Sequence, residues 1–158
     1  MRRFPCSSYV LFSASVVFLC AEGNAATLVV DLNGAGDFAA IQPAIDAAQP
    51  GDTVLVKAGE YEITGPISFK GKAIRVRSEV GSEATTIRGS GIWFGNGETN
   101  ATGIDGFTIT EGSPGVYCAG SSPTITNCTI SGNHGVWRGR GDVGGGVYCE
   151  GSSPTRTN

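Results

Sequence analysis

The sequence predicts an all-β fold in which short strands stack as successive coils of a parallel β-helix. Two observations predict it. Residues 115–127 return 31 residues later as residues 146–158, with eleven of the thirteen positions identical. A fixed repeat rich in Gly, Ser, Thr and β-branched residues is typical of stacked-coil proteins. A weaker repeat relates residues 104–110 to residues 125–131 at an offset of 21, with apolar residues at the first, fourth and sixth places of both copies.

One residue in each copy of the weaker repeat interrupts the alternation of apolar and polar residues. It is Gly106 in the first copy, Asn127 in the second and Asn158 in a third. Gly and Asn accept positive φ at low cost, so each copy predicts two short strands joined by a one-residue left-handed bend. Because neighbouring strands lie about 4.8 Å apart, stacked bends would bring successive Asn side chains within hydrogen-bonding reach.

Residues 1–25 have the pattern of a secretory signal peptide. Arg2 and Arg3 form a basic start, residues 9–19 are mostly apolar, and residues 21–26 offer small residues for cleavage. The apolar run is shorter than the roughly 20 residues that a membrane-spanning helix needs. The mature protein is therefore expected to be secreted, extracellular or at the cell surface, with no transmembrane segment after cleavage.

The charge balance excludes a nucleic-acid partner of the usual kind. Removing Arg2, Arg3 and Glu22 from the 11 basic and 14 acidic residues leaves nine and thirteen, a net charge of −4. Nucleic acid is bound through basic stripes, which this mature chain lacks.

The loop after the first predicted strand, residues 27–31, carries three side chains with oxygen atoms. Asp31, Asn33 and Asp37 could ligate calcium. However, their spacing fits no complete calcium loop, and a turn explains the glycines between them. We therefore interpret this loop as a structural turn and predict no cofactor.

Residues 26–52 are predicted to contain this strand and a short N-terminal capping helix. The helix begins near residue 40 or 41, because Pro43 is then in its first turn, and it ends at residues 49–52. About two turns of helix are marginal alone, so its apolar stripe should cover the open first coil, whose unpaired strand edges would otherwise invite aggregation. The stripe consists of Ile41, Ala44, Ile45 and Ala48.

Residues 53–158 are predicted to form the β-helix coils, about five of roughly 21 residues each. Val54 and Val56 are matched with Ile74 and Val76 at an offset of 20. The further predicted strands lie within residues 86–87, 92–94, 103–110, 116–118, 124–131 and 146–149. A loop at residues 134–144 explains the extra length between the long copies. Because the chain stops on a bend, we expect a fragment truncated at its C-terminal end.

Three segments near the N-terminus and one repeat carry a family resemblance. Residues 29–48 (VVDLNGAGDFAAIQPAIDAA), 51–56 (GDTVLV) and 59–61 (GEY) resemble the start of right-handed β-helix proteins of the pectin lyase-like superfamily. Residues 124–133 (TITNCTISGN) resemble the right-handed parallel β-helix repeat of secreted and surface bacterial proteins. The resemblance covers nearly all of the mature chain. It implies a right-handed parallel β-helix, or solenoid, with a short N-terminal capping helix.

The same resemblance is specific for fold and not for activity, because the superfamily includes lyases, esterases and non-catalytic surface repeats. The opening is most similar to pectin methylesterases. Their Gln-Asp-Thr and Asp-Phe-Ile-Phe-Gly segments have no match here, and the Arg-containing motifs of the lyases have none either. The resemblance therefore supplies no catalytic residue.

Cys118 and Cys149 occupy equivalent places in the two long copies. On adjacent coils their Cα atoms would be about 4.8 Å apart, within the range of a disulfide. The alternative is an unbonded ladder packed inward, which the nearly parallel Cβ directions of stacked strands favour. Cys128 replaces Phe107 at an inward place and is predicted to be core. Three cysteines and the lone His134 do not make a zinc site.

The long loop contains Trp137, flanked by Arg138 and Arg140. An exposed Trp beside guanidinium groups could stack on a sugar ring and pair with an acidic polysaccharide. The alternative is a Trp that packs back on the coil surface, as loop aromatics often do. The candidate partners are therefore polysaccharides or cell-surface glycans.

Two functional hypotheses follow. The first is a secreted or surface β-helix scaffold, adhesin or carbohydrate-contacting module with no catalytic site in this chain. The alternative is the N-terminal part of a polysaccharide lyase or pectin esterase whose catalytic residues lie beyond residue 158. Such enzymes need clustered carboxylates or a strong base on one face. The candidates here, Asp105, Glu111, Asp142 and Glu150, are scattered in sequence.

Overall fold

The computed structural model describes residues 25–137 and 142–157. Residues 1–24 of the predicted signal peptide, the third bend residue Asn158, and Arg138 and Arg140 all lie outside the described residues. The one helix in the described part is α1 (Ile41–Ala47). The strands are β1 (Thr27–Val30), β2 (Thr53–Val56), β3 (Gly59–Ile63), β4 (Ile67–Ser68), β5 (Arg75–Ser78), β6 (Thr85–Gly89), β7 (Ile92–Phe94), β8 (Gly103–Asp105), β9 (Thr108–Thr110), β10 (Val116–Ala119), β11 (Thr124–Thr126), β12 (Thr129–Ile130), β13 (Val136–Trp137), β14 (Asp142–Val143), β15 (Val147–Glu150) and β16 (Thr155–Thr157).

Three parallel sheets collect strands from successive passes of the chain. The first sheet has the order β1-β2-β5-β8-β11-β16, the second β4-β7-β10-β15 and the third β3-β6-β9-β12. We call one strand from each sheet, taken in chain order, a rung. β13 and β14 form a separate antiparallel hairpin inside the long loop. The all-β prediction is confirmed, and the stacked parallel strands are compatible with a parallel β-helix.

The two long sequence copies lie side by side, as predicted. β10 pairs in parallel with β15, and β11 pairs with β16. The aligned pairs are Val116 with Val147, Tyr117 with Tyr148, Cys118 with Cys149 and Ala119 with Glu150. The offset of 21 is also confirmed, because Ile104 lies opposite Ile125.

The predicted offset of 20 is wrong. Val54 pairs with Val76 and Val56 pairs with Ser78, an offset of 22. A shift of two residues keeps the same side chains facing inward, so hydrophobic alternation cannot detect it. The inward position of Ser78 is polar yet buried, and its hydroxyl oxygen lies 2.7 Å from that of Thr85. The regular coil length of roughly 21 is also wrong, because even outside the long loop Arg75 pairs with Gly103, 28 residues further along the chain.

One apolar core fills the space between the three sheets. It includes residues from every sheet, such as Val76, Ile92 and Ile109, each at most 1% exposed. Phe69 and Phe94 stack within it, with ring centroids 4.7 Å apart. Successive rungs therefore place like residues on one another, which is the packing that a repeating sequence favours.

The bend residues have the predicted left-handed backbone. Gly106 has φ 79° and Asn127 has φ 51°. The Asn127 side chain donates a 2.7 Å hydrogen bond from Nδ2 to Oδ1 of Asp105 on the preceding rung. Phe107 and Cys128, which follow the bends, are both buried. Each bend thus turns two strands while keeping their apolar side chains on one side.

We expect Asn127→Ala to lower the free energy of unfolding by about 1 kcal/mol more than Asn127→Gly, because a backbone with positive φ is unfavourable for alanine and not for glycine. Both variants lose the hydrogen bond to Asp105, so the difference between them isolates the backbone contribution. Urea unfolding followed by circular dichroism measures it. Equal destabilisation by the two variants would contradict a strained bend.

Helix α1 begins at Ile41, as predicted, and packs against β1, β2 and β4. It covers the edge of the second sheet through one side chain: Gln42 accepts a 2.9 Å hydrogen bond from Ser68 N and donates one of 3.1 Å to Ser68 O. Its amide thus replaces a neighbouring strand. Lys72 Nζ donates to the carbonyl oxygens of Ile45, Asp46 and Ala48 and so caps the helix C-terminus. Nothing helical within residues 25–137 and 142–157 has the length and apolar character needed to cross a bilayer.

Candidate functional site

Three aromatic side chains lie in register on the outer face of the second sheet. They are Trp93 of β7, Tyr117 of β10 and Tyr148 of β15, and we call them the aromatic row. The ring centroids of Trp93 and Tyr117 are 5.5 Å apart with the planes nearly perpendicular at 85°. Those of Tyr117 and Tyr148 are also 5.5 Å apart, with the planes inclined by 23°. The period of two along a strand places these rings outward, because their neighbours in sequence point into the core.

Trp93 is the most accessible member of the row. It is 47% exposed, although a large apolar side chain gains most by burial. Gly95, two residues further on the same face, leaves room for the indole, since a Cβ atom there would collide with Trp93 Nε1. The sequence therefore holds an exposed indole against the sheet rather than burying it.

A cleft of about 260 Å³ opens beside the row. Its walls combine the rings of Trp93 and Tyr117 with Ser90 and Ser113. Gly91 shapes it: its φ is 79°, and a Cβ atom there would collide with the carbonyl oxygen of Pro114. Only glycine allows the chain at Pro114 to approach β7 this closely. The result is a concave surface with aromatic walls and hydroxyl groups at its rim.

The electrostatics of this face are simple. Among the described strands of the second sheet, Glu150 of β15 is the one residue with an ionised side chain. Its Oε2 accepts a 3.0 Å hydrogen bond from the hydroxyl of Tyr117. Beyond the end of β4, the ammonium of Lys70 forms a 2.8 Å ion pair with Asp46. This face therefore carries the negative charge of Glu150 beside the aromatic row, and the cation beyond β4, Lys70, is paired with Asp46.

The carbohydrate-binding residues predicted from sequence lie largely outside the described residues. The backbone of Trp137 belongs to β13 of the hairpin, and its side chain lies outside the described residues, as do Arg138 and Arg140. A sugar site at these three residues stays a prediction. Sequence reasoning missed Trp93, Tyr117 and Tyr148. Aligning Ile92-Trp93-Phe94 with the two Val-Tyr-Cys copies would have found them.

Cys118 and Cys149 lie opposite each other on adjacent strands, and both thiols are free. Cys118 is buried and Cys149 is exposed. Burial, with a further contribution from the neighbouring Cys149, raises the pKa of Cys118 to about 12. Because the thiolate is the reactive form, Cys118 is inert at neutral pH. Cys128 is buried, as predicted, and donates a 3.1 Å hydrogen bond to Thr126 O.

The candidate calcium residues support a turn. Asp31 Oδ1 accepts a 2.8 Å hydrogen bond from Asn33 N, and Asp37 Oδ2 accepts one of 2.8 Å from Val29 N. The Asp31 carboxylate is therefore engaged by the backbone of its own loop, and that of Asp37 by the backbone of β1. Across residues 25–137 and 142–157, no three His, Cys, Asp or Glu side chains come together as a metal site would require.

The acidic residues considered for catalysis belong to different sheets. Asp105 lies in the first sheet and accepts from Asn127. Glu111 follows the third sheet's β9, and its Oε1 lies 2.6 Å from Arg88 Nη2. Glu150 lies in the second sheet, and Asp142 belongs to the hairpin strand β14. These residues form no acid–base pair in the part of the chain that the structure describes.

The aromatic row and its cleft can bind, but the described residues there offer no nucleophile, acid or base with a raised reactivity. Aromatic rings supply large apolar contact area, and the serine hydroxyls supply donors and acceptors. Comparisons of the chain with protein families, curated proteins and solved structures gave no match.

Proposed function

We propose that this protein is a non-catalytic carbohydrate-contacting module, secreted or displayed at a cell surface. The observation that carries the proposal is the aromatic row, which is held outward on three neighbouring strands beside a cleft. We further propose that its sheets wind as a right-handed parallel β-helix like those of the pectin lyase-like superfamily. The three parallel sheets and the adjacent sequence copies support this fold.

Sugar rings suit this surface for a chemical reason. A pyranose ring has apolar C–H faces and a rim of hydroxyl groups, so it can stack on an indole while it exchanges hydrogen bonds at its edge. Trp93 offers the apolar contact, and Ser90 and Ser113 offer the hydroxyls. Strand pairing on both sides of β7 and β10 fixes the rings, so little side-chain entropy is lost on binding.

Binding to a panel of soluble polysaccharides tests the proposal. We expect Trp93→Ala to weaken the affinity for the bound polysaccharide about tenfold or more, equivalent to about 1.4 kcal/mol. The matched control is Val80→Ala, which removes another exposed apolar side chain (57% exposed) away from the row. Affinity electrophoresis gives the ranking, and isothermal titration calorimetry gives the dissociation constants.

Two outcomes would contradict the proposal. One is the absence of binding to every polysaccharide of the panel, and the other is equal affinity of Trp93→Ala and the unmodified protein. Incubation with polygalacturonate, followed by absorbance of the unsaturated product, tests the lyase alternative in the same samples. Formation of that product would show that the module is catalytic.

A further inference from the structure

We infer that the aromatic row takes an uncharged glycan chain of extended, β-linked sugars and discriminates against anionic polysaccharides. This inference rests on the proposed function and adds the ligand class. It differs from the acidic polysaccharide that Trp137, Arg138 and Arg140 suggest from sequence, because it is argued from the aromatic row and not from those three residues.

The charges described on this face disfavour an anionic ligand. A polysaccharide carboxylate on the row would approach Glu150, whose Oε2 is already 3.0 Å from the hydroxyl of Tyr117. The described strands of this sheet contain no Lys or Arg that could compensate it. Lys70, beyond β4, is paired with Asp46 at 2.8 Å. Like charges repel, and at an exposed carboxylate this repulsion is strongest at low salt.

The spacing of the row suits an extended chain that runs across the strands. Neighbouring ring centroids are 5.5 Å apart from Trp93 to Tyr117 and again from Tyr117 to Tyr148. This repeat is set by the distance between hydrogen-bonded strands. It is close to the length of one sugar residue in an extended β-1,4-linked chain, so successive sugars can meet successive rungs. A coiled α-linked chain does not keep this direction over three rungs.

The hydrogen-bonding groups of the site also suit a neutral ligand. Ser90 and Ser113 each have a hydroxyl that donates and accepts, as a sugar hydroxyl does. A carboxylate accepts only and would gain from a cation that the described part of the face does not supply. An uncharged glycan therefore satisfies both the aromatic surface and the polar rim.

Two celluloses with the same backbone and different charge provide the test. Hydroxyethyl cellulose is uncharged, and carboxymethyl cellulose carries carboxylates on the same β-1,4-linked glucan. With the full chain at low salt, we expect hydroxyethyl cellulose to bind about fivefold or more tightly than carboxymethyl cellulose, and high salt to reduce this ratio. Dextran, an uncharged α-linked glucan, should bind more weakly than hydroxyethyl cellulose.

Charge-reversal variants test whether Glu150, beside the aromatic row, determines the ratio of the affinities for the two celluloses. Glu150→Lys should raise the affinity for carboxymethyl cellulose relative to hydroxyethyl cellulose. Glu83→Lys makes the same change of charge at another exposed acidic residue, so it should leave that ratio as in the unmodified protein. Circular dichroism establishes that each variant is folded before binding is measured.

The outcomes separate this inference from the proposed function. The inference would be overturned if carboxymethyl cellulose bound more tightly than hydroxyethyl cellulose, or if Glu150→Lys left the ratio of the two affinities unchanged. Either result would still leave a carbohydrate-binding module. Tighter binding of dextran than of hydroxyethyl cellulose would overturn the preference for an extended β-linked chain. Binding of no polysaccharide at all would remove the proposed function itself.

Discussion

Phe94→Ala is expected to lower the free energy of unfolding by about 3–5 kcal/mol, the usual cost of deleting a buried aromatic ring. Phe94 is fully buried and stacks on Phe69 of the preceding rung at 4.7 Å. Strands above and below restrain the backbone here, so the cavity cannot close by local collapse. Chemical unfolding followed by far-ultraviolet circular dichroism measures the change.

The adjacent residue supplies the control. Trp93→Ala removes an even larger side chain from the same strand, but that side chain is 47% exposed. We expect it to cost less than about 1 kcal/mol, within the range of surface substitutions that disturb little packing. Similar losses for the two variants would contradict the inward and outward assignment of β7. A stable Trp93→Ala variant is also what makes the binding experiment interpretable.

Glu98→Ala is expected to destabilise the protein by about 3 kcal/mol, because it removes the carboxylate acceptor of the buried Ser121 hydroxyl and of two part-buried backbone N–H groups. The Glu98 carboxylate accepts hydrogen bonds from Gly71 N at 3.0 Å, Asn96 N at 2.8 Å and Ser121 Oγ at 2.8 Å. The donors belong to the turns of three successive rungs, and Glu98 itself is 2% exposed. One carboxylate thus joins three turns, in addition to the 2.8 Å backbone hydrogen bond from Ser122 N to Glu98 O.

The pH dependence of the free energy of unfolding also tests the contribution of the Glu98 carboxylate. Burial acts to raise the pKa of Glu98, but the hydrogen bonds from Asn96, Gly71 and Ser121 outweigh it and hold that pKa below the ordinary value of 4.5. A lowered folded-state pKa contributes stability above the unfolded pKa, and this contribution is lost as pH falls through the folded pKa. We therefore expect Glu98→Gln to be less stable than the unmodified protein at pH 7. The difference should narrow as the pH falls below about 4.5, the ordinary carboxyl range.

Glu83→Gln is the control for Glu98, because Glu83 is an exposed acidic residue. It should change the free energy of unfolding little at either pH. A difference between Glu98→Gln and the unmodified protein that stays constant from neutral to acidic pH would contradict a role for the ionised carboxylate.

The parts of the fold that could be predicted from sequence were those with a local signal. The bends follow from the conformational freedom of Gly106 and Asn127, and α1 follows from Pro43 and the apolar spacing after it. The pairing of β10 with β15 follows from near-identity of the two copies. The register of β2 with β5 could not be predicted in the same way. The inward partner of Val56 is Ser78, a polar residue that the pattern of apolar positions passes over.

The candidate site needed information that no single segment contains. Trp93 stands in a three-residue strand without the Gly-Val-Tyr-Cys signature, so nothing in its own segment marks it as a partner of Tyr117 and Tyr148, and the pairing of β7 with β10 shows that it is one. The loop around Trp137 attracted the carbohydrate prediction because its arginines are adjacent in sequence. The sequence prediction therefore rested on neighbouring charges in one segment, whereas Trp93, Tyr117 and Tyr148 come together through strand pairing.

The amide of Gln42 blocks the β4 edge of the second sheet against pairing with a further strand. It occupies the backbone donor and acceptor of Ser68 that another chain would need, so recruitment of a foreign strand at β4 requires displacement of α1.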